Sequence, residues 1–322
     1  MSYCQIVVGA PGSGKSTYCN AMQQFMKAIG REAIIVNIDP ANEDVKYNCA
    51  VDITDLITVD DVMSEFGLGP NGALIYCMEW LEKNMHLLKE KLDEAVKGTE
   101  EGTTKYVLFD FPGQAELYTH NTAIRSVVRQ IQKWNYNPVA VHLADSHLCV
   151  EPSNFVSALM MSLSIMCHLE LPHVNILSKI DLLSSYGQLP FRLDFYTEVL
   201  DLRFLMEHID PHLAQEDEEA DEERRIAEGY ESDDDEGGQA EAPVREAPHP
   251  HQDQHLTEEQ KEALHQYRVG HRRLNTAIAD LVQDYSLVTF RPLSVSDKYA
   301  MHKILVAIDK ANGYVFANLD MA

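Results

Sequence analysis

Positive charge is what this sequence has least of. Lys and Arg number 26 against 51 Asp and Glu, a formal net charge of −25. Such a chain is repelled by nucleic-acid backbones and anionic membrane surfaces, so neither is expected as a direct partner. Long apolar runs are missing too. The longest, such as residues 140–144, are short and broken by polar side chains, far from the roughly 20 apolar residues a membrane helix needs. The opening residues MSYCQIVVG carry no basic stretch and no cleavage site, so a secretory leader is not expected. Paired cysteines are also lacking: Cys4, Cys19, Cys49, Cys77, Cys149 and Cys167 are scattered, with no C-x-x-C. A zinc site or disulfide framework is therefore not expected, and a reducing compartment fits.

What the chain does have is material for a core. Its 322 residues are 45% hydrophobic, which suits one large α/β domain or two small ones. The acidity is uneven. Residues 216–241 hold 14 acids against Arg224 and Arg225. The stretch around them, about 214–254, contains Gly and Pro and almost no large apolar residues. It buries too little surface to offset its chain entropy and is read as a disordered insertion. Residues 1–213 and 255–318 then form a single folded domain. Within the insertion, Ser232 precedes a run of acids, the pattern of an acidophilic kinase site; a solubilising spacer is the favoured reading. His249, His251 and His255 also lie there. Metal delivery and a solvated polar linker are the two readings, and the linker is favoured.

Elsewhere short apolar segments alternate with helical patterns. Residues 5–8, 33–38, 106–109, 140–143, 174–177 and 287–290 read as strands, the last ending before Pro292. Residues 15–29 have helical spacing and stop at Gly30. Residues 74–96 place apolar side chains at 74, 75, 78, 81, 85, 88, 92 and 96, one amphipathic helix. Residues 256–285 and 297–310 are read as further helices. Strands apolar on both faces and separated by helices predict a mostly parallel sheet covered by helices on both faces. Residues 42–104 interrupt the alternation as a helical insertion. In such sheets ligands bind at the carboxyl ends of the strands.

The first strand ends in GAPGSGKST, residues 9–17. This matches G-x-x-x-x-G-K-[ST] with a strand before it and a helix after it, the context the motif requires. Gly9, Pro11, Gly12, Ser13 and Gly14 form a loop whose backbone N–H groups curl around phosphates, at a helix N-terminus whose dipole favours anions. Lys15 reaches the β- and γ-phosphates, Ser16 offers a hydroxyl to Mg²⁺, and Thr17 completes the set. The chain is therefore read as an α/β P-loop NTPase.

Asp110 ends another strand and opens DFPGQAE. A carboxylate there serves the magnesium ion through its water shell. Gly113 fits D-x-x-G, with a backbone N–H that senses the γ-phosphate; Gln114 is placed to orient the attacking water and Glu116 to polarise it. For Glu116 a solvated acid at a helix start is the competing reading. Asp39, before Pro40, has two readings of equal weight: a group bracing the magnesium water shell or nucleophile, and a helix N-cap with Pro at the first helical position.

Ser178-Lys179-Ile180-Asp181 follows the fifth strand. A K-x-D turn suits guanine: the carboxylate accepts from the ring N1–H and the exocyclic amine, and the lysine stem stacks on the base. Adenine lacks both donors, so Asp181 would go unpaired against it. The most familiar version of this motif has Asn where this chain has Ser178. Pro292-Leu293-Ser294, after the last strand, is a further candidate for backbone contacts to the base.

Taken in order, GAPGSGKST, NIDPA, GPN, DFPGQAE and LSKID resemble the GPN-loop GTPases, and most of all their type 2 branch. The likeness covers residues 5–209 and about 256–318; the acidic stretch departs from it. The resemblance implies a GTP hydrolase using GTP and Mg²⁺, acting as a homodimer or as a heterodimer with another GPN-loop GTPase. In that arrangement the loop Gly69, Pro70 and Asn71 of one subunit reaches the phosphates of the other, the Asn71 amide donating where an arginine finger would otherwise act. Without the resemblance, G-P-N-G reads as a plain β-turn leading into the helix. One related dimerising group supplies a lysine across the interface from a position that here is Ala10, so that device is absent. The resemblance also implies RNA polymerase II subunits or assembly factors as partners, a role in polymerase assembly and nuclear import, and residence in cytoplasm and nucleus. A GTP-dependent scaffold with negligible turnover is the alternative to an enzyme.

Overall fold

The computed structural model describes residues 2–42, 45, 47–97, 106–199 and 288–314, together with 202, 205, 274, 277, 278, 280 and 281. The acidic stretch 214–254, Ser232 and the three histidines after it lie outside the described residues, as does nearly all of the helix expected over 256–285. The chain divides into two compact units, residues 1–200 with 286–322 and residues 201–285. The fold that follows is the first unit's.

Seven strands form one sheet: β1 (Ser2–Gly9), β2 (Ala33–Asn37), β3 (Cys49–Asp52), β4 (Tyr106–Asp110), β5 (Tyr136–Asp145), β6 (His173–Ser178) and β7 (Phe290–Pro292). Their order is β3-β2-β4-β1-β5-β6-β7, and every pairing is parallel. Parallel neighbours need crossovers, and among the described residues helices lie between most consecutive strands, the short link from β2 to β3 excepted. The helices are α1 (Lys15–Ala28), α2 (Val59–Phe66), α3 (Pro70–Lys83), α4 (Met85–Lys97), α5 (Glu116–Thr119), α6 (Ala123–Lys133), α7 (Pro152–Leu169), α8 (Leu183–Tyr186), α9 (Leu193–Glu198) and, after β7, α10 (Lys298–Asn312).

The strands' period of two splits their side chains between two cores. From β1, Cys4, Ile6 and Val8 join Ala73, Leu81, Leu88, Ile124 and Val128 from α3, α4 and α6. Tyr3 and Val7 join Met22, Met26, Ile304 and Ile308 from α1 and α10 on the other face. Burial on both faces is why these strands read as continuous apolar runs. The second core holds polar groups, and they are paired. The Tyr18 hydroxyl donates to Gln5 Oε1 at 2.8 Å, while Gln5 Nε2 and Asn312 Nδ2 donate to the Tyr106 hydroxyl at 3.2 and 3.0 Å. Arg31 closes this side with a two-pronged bond to Asp309, 2.7 and 3.2 Å, its guanidinium 3.9 Å from the centre of the Tyr314 ring.

Three sequence expectations change. The insertion 42–104 is not purely helical, because it contributes the edge strand β3 beside β2. The single helix expected over 74–96 is two, α3 and α4, parted at Asn84, whose side chain bonds back to the Trp80 carbonyl at 2.8 Å. The last strand does not end before Pro292 but includes it, opposite Leu177. At a sheet edge proline's missing N–H costs the ladder nothing.

Candidate nucleotide site

All seven strands run the same way, so Gly9, Asn37, Asp110, Asp145 and Ser178 end at one edge of the sheet. β1 lies between β4 and β5. The chain leaves β1 towards β2 on one side and crosses after β4 to β5 on the other. The order reverses here, and ligands of open α/β sheets bind in the crevice that such a reversal leaves.

The glycine loop spans this point. Gly12 and Gly14 adopt left-handed backbone, φ 78° and 95°, which side chains resist. Gly9 is confined as well: a Cβ there would lie 2.4 Å from the Leu143 carbonyl oxygen. The first turn of α1 then carries Lys15 and Ser16 to the end of β4. Ser16 Oγ donates to Asp110 Oδ2 at 2.9 Å, and Lys15 Nζ lies 3.4 Å from the Ala10 carbonyl. Burial lowers the Lys15 ammonium below its ordinary pKa, opposed by the charges of Asp110 and Asp39. Burial also pushes the Asp110 carboxyl up to about 6, against hydrogen bonds from Ser16 and Tyr47 and the charge of Lys15. Asp39 shifts the same way for the same leading reason, restrained by the Ala41 N–H and by Lys15. One lysine thus sits in the field of two carboxylates, all partly removed from water.

Asp110 Oδ1 and Ser13 Oγ are buried without a hydrogen-bond partner. The bare Asp110 oxygen, on a carboxylate already bonded by the Ser16 hydroxyl, makes with that hydroxyl a hard-oxygen donor set that fits Mg²⁺. Asp39 turns back on its own chain, Oδ1 accepting from the Ala41 N–H at 3.0 Å. Pro40 and Ala41 form a turn, so the N-cap reading of Asp39 is corrected: no helix begins there.

Gly113 packs against the glycine loop. A Cβ on it would lie 2.6 Å from Lys15 Nζ and 2.9 Å from the Pro11 nitrogen. The Tyr118 hydroxyl donates to the Pro112 carbonyl at 2.7 Å and holds this segment from below. Gln114 is half-buried just before α5, and Glu116 is exposed at its first position.

The 178–181 turn is joined to the glycine loop. Ser178 Oγ lies 2.7 Å from the Ser13 carbonyl and 3.1 Å from that of Ala144. Lys179 has left-handed backbone, φ 58°, and its stem passes close to Gly14. Its Nζ binds Asp145 Oδ2 at 2.7 Å, and Ser146 Oγ donates to its carbonyl at 3.0 Å. Asp181 is exposed on the short turn Ile180–Leu182. The 292–294 segment runs alongside, with the Ile180 N–H donating to the Leu293 carbonyl at 3.3 Å.

Gly69, Pro70 and Asn71 are exposed. They are not a β-turn ahead of a helix; Gly69 is the N-cap of α3, Pro70 its first residue, and the Ala73 N–H bonds the Gly69 carbonyl at 2.9 Å. Proline suits that position because the first helical N–H has no partner to lose. Among the described residues no cluster of His, Cys, Asp and Glu could hold a metal by itself.

Sequence reading missed Tyr47, Asp145 and Ser146. Asp145 ends an apolar strand as Asp110 does, which was a usable signal. Tyr47 gave none, because its hydroxyl meets Asp110 Oδ2, 3.0 Å away, across 63 residues of chain.

Residues 7–233 match a family described as "Conserved hypothetical ATP binding protein". The chain is 44% identical to "GPN-loop GTPase 2" of Danio rerio over 99% of its own length and 84% of the relative's. It is 43% identical to "GPN-loop GTPase QQT1" of Arabidopsis thaliana, over 99% and 88%. Among solved structures, an apo GTPase from Pyrococcus abyssi aligns over 57% of this chain and 69% of that one, at 26% identity and a TM-score of 0.47.

Proposed function

The chain belongs to the GPN-loop GTPase family, and from that premise we propose that it binds GTP with Mg²⁺ and hydrolyses it in a dimer whose sites are completed across the interface. One observation carries the reading: Lys15, Ser16 and Asp110 converge at the end of β1 and β4 around a buried, unpartnered carboxylate oxygen.

The glycine loop and Lys15 hold the phosphates. Ser16 and Asp110 would hold the cation, with Asp39, just past β2, bracing them. Bound Mg²⁺ supplies charge neutralisation of the β- and γ-phosphate oxygens. Gly113, packed on the loop, offers its N–H where the γ-phosphate ends, and Gln114 orients water there. Lys179 and Asp181 select guanine, Lys179 stacking and Asp181 accepting two hydrogen bonds; this is why the substrate is GTP although the matched family is described by ATP. Exposed Asn71, at a helix N-terminus, is free to donate to phosphate held by a second subunit. That subunit is another copy or another GPN-loop GTPase. The resemblance further supports RNA polymerase II assembly and nuclear import as the process served, in cytoplasm and nucleus.

The test is steady-state GTP hydrolysis against protein concentration, wild type beside Asn71→Ala. We expect the rate per subunit to rise with concentration and to fall in the variant. A rate indifferent to both would leave a self-contained site and no role for the loop.

A further inference from the structure

We infer that Tyr47 is a positioning residue for the magnesium-binding carboxylate: its hydroxyl fixes Asp110 so that the second carboxylate oxygen faces the nucleotide's cation. The inference rests on the reading of Ser16 and Asp110 as the magnesium pair.

Three observations carry it. Tyr47 is buried, 7% exposed, in the stretch between β2 and β3, and its ring belongs to the core that includes Met22, Cys19 and Ile35. The ring is therefore held from the α1 side while the hydroxyl reaches the end of β4. That hydroxyl lies 3.0 Å from Asp110 Oδ2, and Ser16 Oγ lies 2.9 Å from the same atom. Asp110 Oδ1 has no partner although it is buried.

Both donors thus crowd one oxygen and leave the other bare. A buried acceptor left unpaired is costly, more so when charged, so such an arrangement persists where a ligand uses it. The two donors are not equivalent. Ser16 has its own oxygen to offer the cation. Tyr47 has a single partner, and its stiff ring carries few rotamers. It is the donor that keeps the carboxylate's orientation when the serine serves another group. Fixing a ligand by a neighbouring donor is how outer partners tune metal affinity.

The experiment is GDP affinity by calorimetry, with excess Mg²⁺ and again with EDTA, for wild type and Tyr47→Phe. GDP avoids turnover, and phenylalanine keeps the ring in the core. Wild type is expected to bind more tightly with Mg²⁺. Tyr47→Phe is expected to lose on the order of tenfold in the magnesium condition, as one hydrogen bond to a charged group allows, and to match wild type in EDTA. Equal magnesium gains in both proteins would overturn the inference and leave the magnesium site standing. Equal losses in both conditions would reduce Tyr47 to a structural tether. If wild type itself gains nothing from Mg²⁺, the reading of Ser16 and Asp110 falls, and Tyr47's role with it.

Discussion

Ser178 Oγ lies 2.7 Å from the carbonyl oxygen of Ser13. Across 165 residues of chain, this bond joins the turn proposed to read the base to the glycine loop proposed to hold the phosphates. At the position where the more familiar motif has an asparagine, this hydroxyl also lies within reach of the Ala144 carbonyl on β5. The hydroxyl is buried, so its loss leaves the carbonyl it serves without that donor and away from water.

Ser178→Ala should therefore weaken GTP and GDP alike by roughly 5- to 30-fold, the equivalent of about 1–2 kcal/mol for a lost buried hydrogen bond. Preference for GTP over ATP should change little, because the proposed guanine contact belongs to Asp181 and not to Ser178. Fluorescent-nucleotide titrations with competing GTP, GDP and ATP check both parts. Affinity unchanged, or guanine preference lost while affinity holds, would show that the bond to Ser13 does not join the two halves.

Gly113 is the other close approach. An added methyl there meets two backbone atoms of the glycine loop, the Pro11 nitrogen at 2.9 Å and the Gly9 oxygen at 3.1 Å, besides the end of Lys15. The lysine can swing aside; the loop cannot without losing its curl around phosphate. Gly113→Ala should cost about 1–3 kcal/mol of stability through overpacking and should abolish detectable hydrolysis. Urea unfolding and a phosphate-release assay read the two effects separately. A variant as stable and as active as wild type would mean that the DFPGQAE segment stands off from the loop in solution.

The sheet and its site were legible because parallel strands buried on both faces leave an unmistakable apolar run, and each run ends at the edge where ligands bind. GAPGSGKST needs only its own neighbours to be recognised. What escaped reading depends on distance along the chain. β3 is four residues, CAVD, at a sheet edge, too short for a period to show. The break at Asn84 is hidden because apolar residues at 81, 85 and 88 keep helical spacing across it, while at the break the Asn84 side chain bonds the Trp80 carbonyl. Tyr47 and Asp145 matter through partners 63 and 34 residues away, which no local pattern encodes.

Two histidines away from the site have their rings shielded from water, His142 as a buried residue and His173 as a half-buried one. His142, on β5, bonds Ser162 Oγ of α7 through Nδ1 at 3.1 Å; His173, on β6, has both ring nitrogens enclosed and unpartnered, 6.1 Å from His142 centre to centre. Burial depresses both, His142 to about 4 and His173 to about 3, the latter helped by its neighbour. In the unfolded chain each titrates near 6.5. Below that pH the unfolded state takes up protons that the folded state refuses, so stability is full above about 6.5 and falls as the pH drops towards 4 and then 3. Each histidine contributes up to about 1.4 kcal/mol per pH unit inside its window. Buried Asp39, Asp110 and Asp309 shift upward instead and act with the opposite sign, stabilising as the pH falls. The histidine share must therefore be read by difference. His173→Phe removes two unpaired nitrogens and keeps a ring in place, so its stability at pH 7 should stay within about 1 kcal/mol of wild type. Between pH 6.5 and 4.5 its stability should fall less steeply, by roughly 1 kcal/mol per unit. Urea unfolding across that range decides the matter. Parallel curves for the two proteins would mean that His173 reaches water and titrates in the folded state as it does in the unfolded one.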